Sequence, residues 1–385
     1  MKKILHNKPM NLSFDLTSDL IESLQNLGNT YSNAYTLLKN LSTDELEALH
    51  KYARVSMVGA STRLENAQLT DSEINWLDTL LSEDGKVTAF DQKRELIENK
   101  FSKDRERIIE EVAGCRAMLL LIYESPQDFL PLKESDLRGL HFELMAPYRE
   151  AIRYAGKYKT QTNSVIERNN QTGETRVVFQ TADAGPITST AMHDLVEWYN
   201  NVYPLSPWPV AVACELVCRF LAIHPFQDGN GRLGRGLFLM SLLQSRSETI
   251  SYVSRFIAID RYIEKHKEEY YLVLNRCSEG KFKMDSHKYK IHYFLKFMVK
   301  VLGEALEGIN ISRTKFLAER KLSEAALKVL LCFREFPEVR LNTSKISEEA
   351  GLPRRTVVYA LNTLRDAGLI QRYGQGAGTR YQLTF

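Results

Sequence analysis

The sequence predicts a mainly α-helical protein carrying two small β-hairpins, and three observations predict it. Capped helical patterns follow one another through most of the 385 residues. One internal stretch, YKTQTNSVIERNNQTGETRVVFQT, reads as two extended segments about a polar turn at Asn169–Gly173. From Leu322 the pattern becomes helix, helix, helix and then two short strands around a Gly-rich turn.

Each element has its own signal. MKKILHNKPMNLSFDL opens with two lysines, but His6, Asn7 and Lys8 interrupt before any apolar run forms, so no signal peptide is expected. Thr43-Asp44-Glu45 starts a helix that should run to about Glu65 or Asn66, because such residues satisfy and complement a helix N-terminus. A second start stands at Thr70-Asp71-Ser72-Glu73. Ser102–Tyr123 is another long helical pattern, closed by Ser125-Pro126. Its apolar piece AMLLLIY is far too short to span a bilayer. Pro207 and Pro209 open PVAVACELVCRFLAI, apolar around nearly its whole circumference, as a central buried helix is. Helical patterns resume in GLFLMSLLQS, HKEEYYLVLNRC and YFLKFMVKVLGEAL.

Composition sets the frame. With 44% hydrophobic and 26% charged residues the chain has an ordinary soluble composition, long enough for two or three domains. Five cysteines, an odd number in apolar helical contexts, suggest reduced core thiols and a cytoplasmic location. Cys214 and Cys218 lie one turn apart without a companion Cys/His set, so zinc is not expected. The net charge of +3 is uneven: Ser312–Phe385 carries 13 Lys+Arg against 7 Asp+Glu. The expected division is an N-terminal helical region over 1–100, a core over 101–311 and a separate basic unit over 312–385.

The most informative segment is HPFQDGNGRLGR, His224–Arg235. Pro225 disfavours helix at the residue before it, so the buried helix should stop at His224 and present the imidazole at its exit. Phe226 is the candidate apolar peg of the loop. Gly229, Asn230 and Gly231 let backbone N–H groups approach an anion, and the helix that follows points its positive end there. Arg232 and Arg235, three apart, can both grip phosphate oxygens. Asp228 beside a phosphate calls for a bridging cation, and Mg²⁺ is the natural one. His224 remains to take a proton from a hydroxyl. Together these describe phosphoryl or nucleotidyl transfer.

HPFQDGNGRLGR matches, at every defined position, the Fic-domain signature HPFx(D/E)GNGRxxR, and the resemblance extends more loosely from about Asn66 to Gly308. It implies a Fic-type helical bundle that transfers AMP from ATP to a Ser, Thr or Tyr hydroxyl of a target protein, or of itself, with release of pyrophosphate. His224 would be the general base and Asp228 the Mg²⁺ ligand. Asn230 and the glycine backbone would hold the α-phosphate region, and Arg232 and Arg235 the outer phosphates. The hairpin resembles the family's target-binding flap, with Thr162, Asn163 and Val165 as its candidates. EEYYLVLNRCSEG resembles the helix that places Tyr271 and Ser278 near the adenine; core packing is the other reading of Tyr270-Tyr271. Ser61-Thr62-Arg63-Leu64-Glu65-Asn66 matches the family's inhibitory pattern (S/T)xxxE(G/N), on a helix at about 44–66. Glu65 paired with Arg235 would take the place of the γ-phosphate. A related reading has Glu65 position water to remove AMP from a modified target.

The C-terminal pattern resembles a winged helix-turn-helix domain, with RRTVVYALNTLRDAG as recognition helix and Arg354, Arg355, Thr356 and Tyr359 on its early half. Arg372 and Arg380 would sit on the wing, and the basic balance would attract DNA phosphates. Winged helices also serve as protein-binding modules. The contrasting reading of the whole chain is therefore a DNA-binding regulator with a nucleotide-sensing core. A homodimer is implied by the family alone, no membrane partner is expected, and the target protein is not identified by any residue.

Overall fold

The computed structural model describes residues 12–82, 90–98, 105–168, 175–335 and 340–384. The opening lysines and the Asn169–Gly173 turn lie outside the described residues. Within them the protein is mainly α, with two separate two-stranded antiparallel sheets. One continuous hydrophobic core draws side chains from Leu12 through Ile309, and a second, smaller core from Ala326 through Ile370.

Helices α1 (Ser18–Lys39), α2 (Thr43–Leu64), α3 (Asp71–Ser82), α4 (Phe90–Glu98) and α5 (Glu106–Glu124) form the N-terminal part. The start of α2 is set by Ser42, not Thr43. Ser42 Oγ accepts from the Glu45 N–H while Glu45 reaches back to the Ser42 N–H, a reciprocal capping box. α2 ends at Leu64 because Asn66 takes a left-handed conformation (φ 72°), which Asn tolerates better than most residues. Arg63 then anchors that end, donating to both carboxylate oxygens of Glu264 and to Asp71.

α6 (Glu134–Met145) leads to the hairpin β1 (Ser164–Arg168) and β2 (Thr175–Gln180), which pair antiparallel with a register shift between Val165 and Ile166. After α7 (Pro186–Val202), α8 (Pro209–Ile223) runs through the middle of the main core with nearly every residue buried. It packs on α9 (Asn230–Leu243), and the first half of HPFQDGNGRLGR forms the turn between these two helices. α10 (Glu248–Val253), α11 (Ile259–Lys265) and α12 (Lys267–Ser278) close the far side. α13 (His292–Arg320) then runs unbroken for 29 residues. Its C-terminal half meets the first turn of α2, where Arg313 donates to Glu45 (2.9 Å) and Arg320 to Asp44 (3.0 Å).

The tail comprises α14 (Glu324–Glu335), α15 (Thr343–Ala350), α16 (Arg354–Asp366) and a hairpin of β3 (Ile370–Tyr373) and β4 (Arg380–Leu383). Leu341 bridges to Tyr381 beside that hairpin, and Asn342 caps α15. All five cysteines are buried. Among the described residues no helix is long and apolar enough to cross a membrane.

Candidate active site

His224 ends α8 in the left-handed region (φ 53°, ψ 60°), where Pro225 prevents the helix from continuing. A non-glycine residue held there costs about 1–2 kcal/mol, so its neighbours must hold it. Phe226 is fully buried and stacks face to face on the His141 ring at 3.8 Å. His141 accepts from the Gly156 N–H through Nδ1, which leaves Nε2–H to donate to Asp228 O at 3.0 Å. A histidine from α6 thereby props the motif loop from behind, and burial pushes its pKa down to about 4.

The Asn230 side chain turns inward. Its Oδ1 accepts from Phe226 N and its Nδ2 donates to Phe226 O, so it braces the loop instead of facing the cradle, the placement the resemblance implied for it. Gly229 holds φ 77°, and a Cβ there would press on Leu144 and Met145 at 3.0 Å. Gly231 instead faces the end of α2: a Cβ built on it would collide with Glu65 Oε1. A carboxylate from α2 therefore sits over the first turn of α9, where backbone N–H groups and helix dipole favour an anion.

The two arginines diverge. Arg235, 3% exposed, donates to Ser61 Oγ (3.1 Å), Ser61 O (2.8 Å) and Glu65 Oε1 (3.0 Å), and lies 3.4 Å from Asp260. Ser61 and Glu65, one turn apart, thus face the same guanidinium, and Asn66 turns the chain away immediately after. Burial pushes Asp260 up to about 6, against the pull of Arg235. Arg232, equally buried, stands 3.6 Å from both Glu111 of α5 and Asp228. Both guanidinium groups are answered by the protein's own carboxylates.

His224 is half-buried. Burial, then the nearby Lys159, pushes its pKa down to about 4, so the ring is neutral near pH 7. Nδ1 lies 3.3 Å from Leu221 O, and the tautomer with the proton on Nδ1 leaves Nε2 as a base. The Asp228 carboxylate is 45% exposed, and its Oδ1 accepts from Gly229 N. No group of three or more His, Cys, Asp or Glu side chains among the described residues could hold a metal. One open carboxylate fits Mg²⁺ that completes its shell from substrate phosphates and water, and does not fit an all-protein cage.

The remaining candidates fall around this centre. Tyr271 is 42% exposed, and its hydroxyl donates to Leu64 O at the end of α2, whereas Tyr270 is core. Ser278 keeps its hydroxyl within its own helix, on Leu274 O and Asn275 O, and accepts from Gly280 N. In the hairpin, Thr162 accepts from Ala184 N, Asn163 donates to Phe226 O, and Val165 pairs through its backbone with Phe179. Arg354, Arg355 and Tyr359 are exposed on α16, far along the chain from the motif, with Thr356 half-buried. Sequence reasoning missed His141, Lys159, Thr181, Glu111 and Asp260, which come from five other segments. Only the fold brings them to the loop.

A helical bundle thus presents, at its central turn, a neutral histidine, an open carboxylate and a glycine-floored helix N-terminus, an arrangement suited to receiving an anion. The Fic/DOC family model matches residues 131–242. A Fido domain-containing protein of Dictyostelium discoideum is 33% identical over 106 residues, covering 25% of this chain and 72% of that protein. The chain belongs to the Fic/DOC family. Two solved structures share the fold at 23% identity. A Fic family protein from Desulfovibrio desulfuricans G20 has a TM-score of 0.54 and covers 97% of this chain and 98% of its own. A Fic domain containing signaling protein from Bacteroides thetaiotaomicron VPI-5482 has a TM-score of 0.53 and covers 76% and 96%.

Proposed function

We propose that this protein is an auto-inhibited protein adenylyltransferase, which moves AMP from ATP to a Ser, Thr or Tyr hydroxyl of a target protein or of itself. The observation that carries the reading is the Glu65 carboxylate seated over Gly231 and paired with Arg235. An internal anion occupies the place that a substrate phosphate needs.

In the released state the target hydroxyl gives its proton to His224 Nε2 as its oxygen attacks the α-phosphorus. The new O–P bond forms while the bond to pyrophosphate breaks, and pyrophosphate leaves with the electron pair. Arg232, Arg235 and the N-terminus of α9 meet its charge. Asp228 would hold Mg²⁺, which supplies charge neutralisation at the phosphate oxygens. A preference of about 2.7 kcal/mol for the blocked arrangement leaves roughly one per cent competent. Glu65→Gly is expected to raise AMP transfer on the order of 100-fold, and His224→Ala to abolish it. The check is mass spectrometry after incubation with Mg²⁺ and each nucleoside triphosphate. Equal labelling of wild type and Glu65→Gly would overturn the brake, and no adduct from any variant would overturn the activity.

For the tail we propose a winged helix-turn-helix that docks on duplex DNA. Support comes from the exposed face of α16. Arg354 and Arg355 stand there with Tyr359, which is 72% exposed, and neither arginine has a carboxylate partner among the described residues. Nearby, the Arg372 side chain donates to Thr379, and Arg340 lies over the Tyr373 ring at 3.9 Å. Duplex affinity should fall steeply with salt and be lost in Arg354→Ala/Arg355→Ala. No binding at low salt would refute it.

A further inference from the structure

Lys159 lies just before β1, is 4% exposed, and brackets the base of the motif. Its main-chain N–H donates to Pro225 O at 2.8 Å, and its Nζ donates to Ile223 O at 3.1 Å. One residue thus holds both carbonyls that flank His224. Nζ also donates to Asn163 Oδ1 (3.0 Å) and Thr181 Oγ1 (2.8 Å). Asn163 and Thr181 flank the two ends of the hairpin, and Asn163 Nδ2 continues to Phe226 O at 3.0 Å. The three ammonium protons therefore meet three oxygens, all neutral, one of them an end carbonyl of α8 where helices favour a cation.

We propose that Lys159 is a positioning residue, which locks His224 between two held carbonyls and keeps its ring free to accept a proton. This rests on the reading of His224 as general base. The geometry fixes the strained left-handed cap, since rotation of either flanking peptide would break a Lys159 hydrogen bond. The charge acts on the same ring. Burial brings Lys159 down to about 8, so it is cationic at neutral pH, and it opposes a second proton on His224. The groups facing that imidazole are Lys159 from the flap base, Glu65 from the end of α2 and Asp228 from its own loop. The two carboxylates favour the imidazolium, so Lys159 is the side chain that works against them.

A structural staple and an electrostatic one separate by charge. Imidazole signals of the isotope-labelled full-length protein, with His224 assigned by His224→Gln, give its titration directly and require no activity. Wild-type His224 should titrate far below the ordinary histidine value. In Lys159→Gln, which retains polar contacts without the charge, the midpoint should rise by about one unit or more. Lys159→Arg should leave it near wild type. A Lys159→Gln protein that folds and titrates as wild type would overturn the proposal. So would a wild-type His224 titrating at the ordinary value, and this holds even if the glutamine variant fails to fold. Run in the Glu65→Gly background with labelled ATP, Lys159→Gln should move the acid limb of the transfer rate upward in pH. If His224 titrates as expected but no variant transfers AMP, the adenylyltransferase reading fails and the role of Lys159 stands. If transfer occurs with an unmoved acid limb, the reverse holds.

Discussion

Arg235 and Arg354 both stand in the first two turns of a helix, yet their surroundings are opposite. Arg235 is buried in the main core and already bonded to Ser61 and Glu65, with Asp260 beside it. Arg354 and its neighbour Arg355 are exposed on α16 without an acidic partner among the described residues. An arginine that the protein has already answered can bind an outside anion only by exchange, and so can be switched. One left unanswered binds at once and is weakened only by salt.

The sharpest way to break this contrast is at the floor of the core site. Gly231→Ala in the Glu65→Gly background should lower nucleotide affinity by roughly 100-fold, read by calorimetric titration, because the added methyl occupies the cradle. A helical Gly→Ala change would otherwise be worth about 1 kcal/mol in favour of the fold. A more stable variant with unchanged nucleotide binding would show that the anion sits elsewhere. In the tail, each arginine replaced on α16 should take about 0.9 from the slope of log affinity against log salt for every phosphate it contacts.

A smaller effect sharpens the comparison through pH. All eight histidines precede Tyr293, and none lies in the tail. His141 is fully buried, and burial holds its pKa near 4. Its neutral form is favoured in the folded state, so stability is fully present above the ordinary value of about 6.5 and is lost as pH falls towards 4. The loss from such a group is on the order of 3 kcal/mol. Hydrogen exchange followed from pH 7 to 4.5 should show protection falling in α6, α8 and α9 before α14 and α16. Equal loss in both regions would refute the assignment.

How much of this could be read along the chain depends on distance in sequence. Wherever one local rule decides, the reading held: Pro225 stops α8 at His224, and Phe226 is the buried peg. Ser61, Glu65 and Asn66 were legible as one unit because they belong to one helix end. Asn230 was read as a phosphate contact because its neighbours are glycines, but its side chain is committed to the Phe226 peptide, a choice made by the depth of the loop. Arg232 and Arg235, read as a pair, meet different carboxylates, Glu111 of α5 and Glu65 at the end of α2, which only the packing of both helices on α9 brings there. His141 and Lys159 left no local signal at all. Each lies more than sixty residues before the carbonyl it holds, and an isolated histidine or lysine in a helical or extended pattern is indistinguishable from solvated surface.

The last consequence concerns α13. A helix of 29 residues is a strut of about 44 Å, and it carries the tail at one end while gripping the opening turn of α2 through Arg313 and Arg320. The same α2 delivers Glu65 at its other end. One helix thus ties the start of the tail to the opening turn of α2, with only residues 321–323 between α13 and α14.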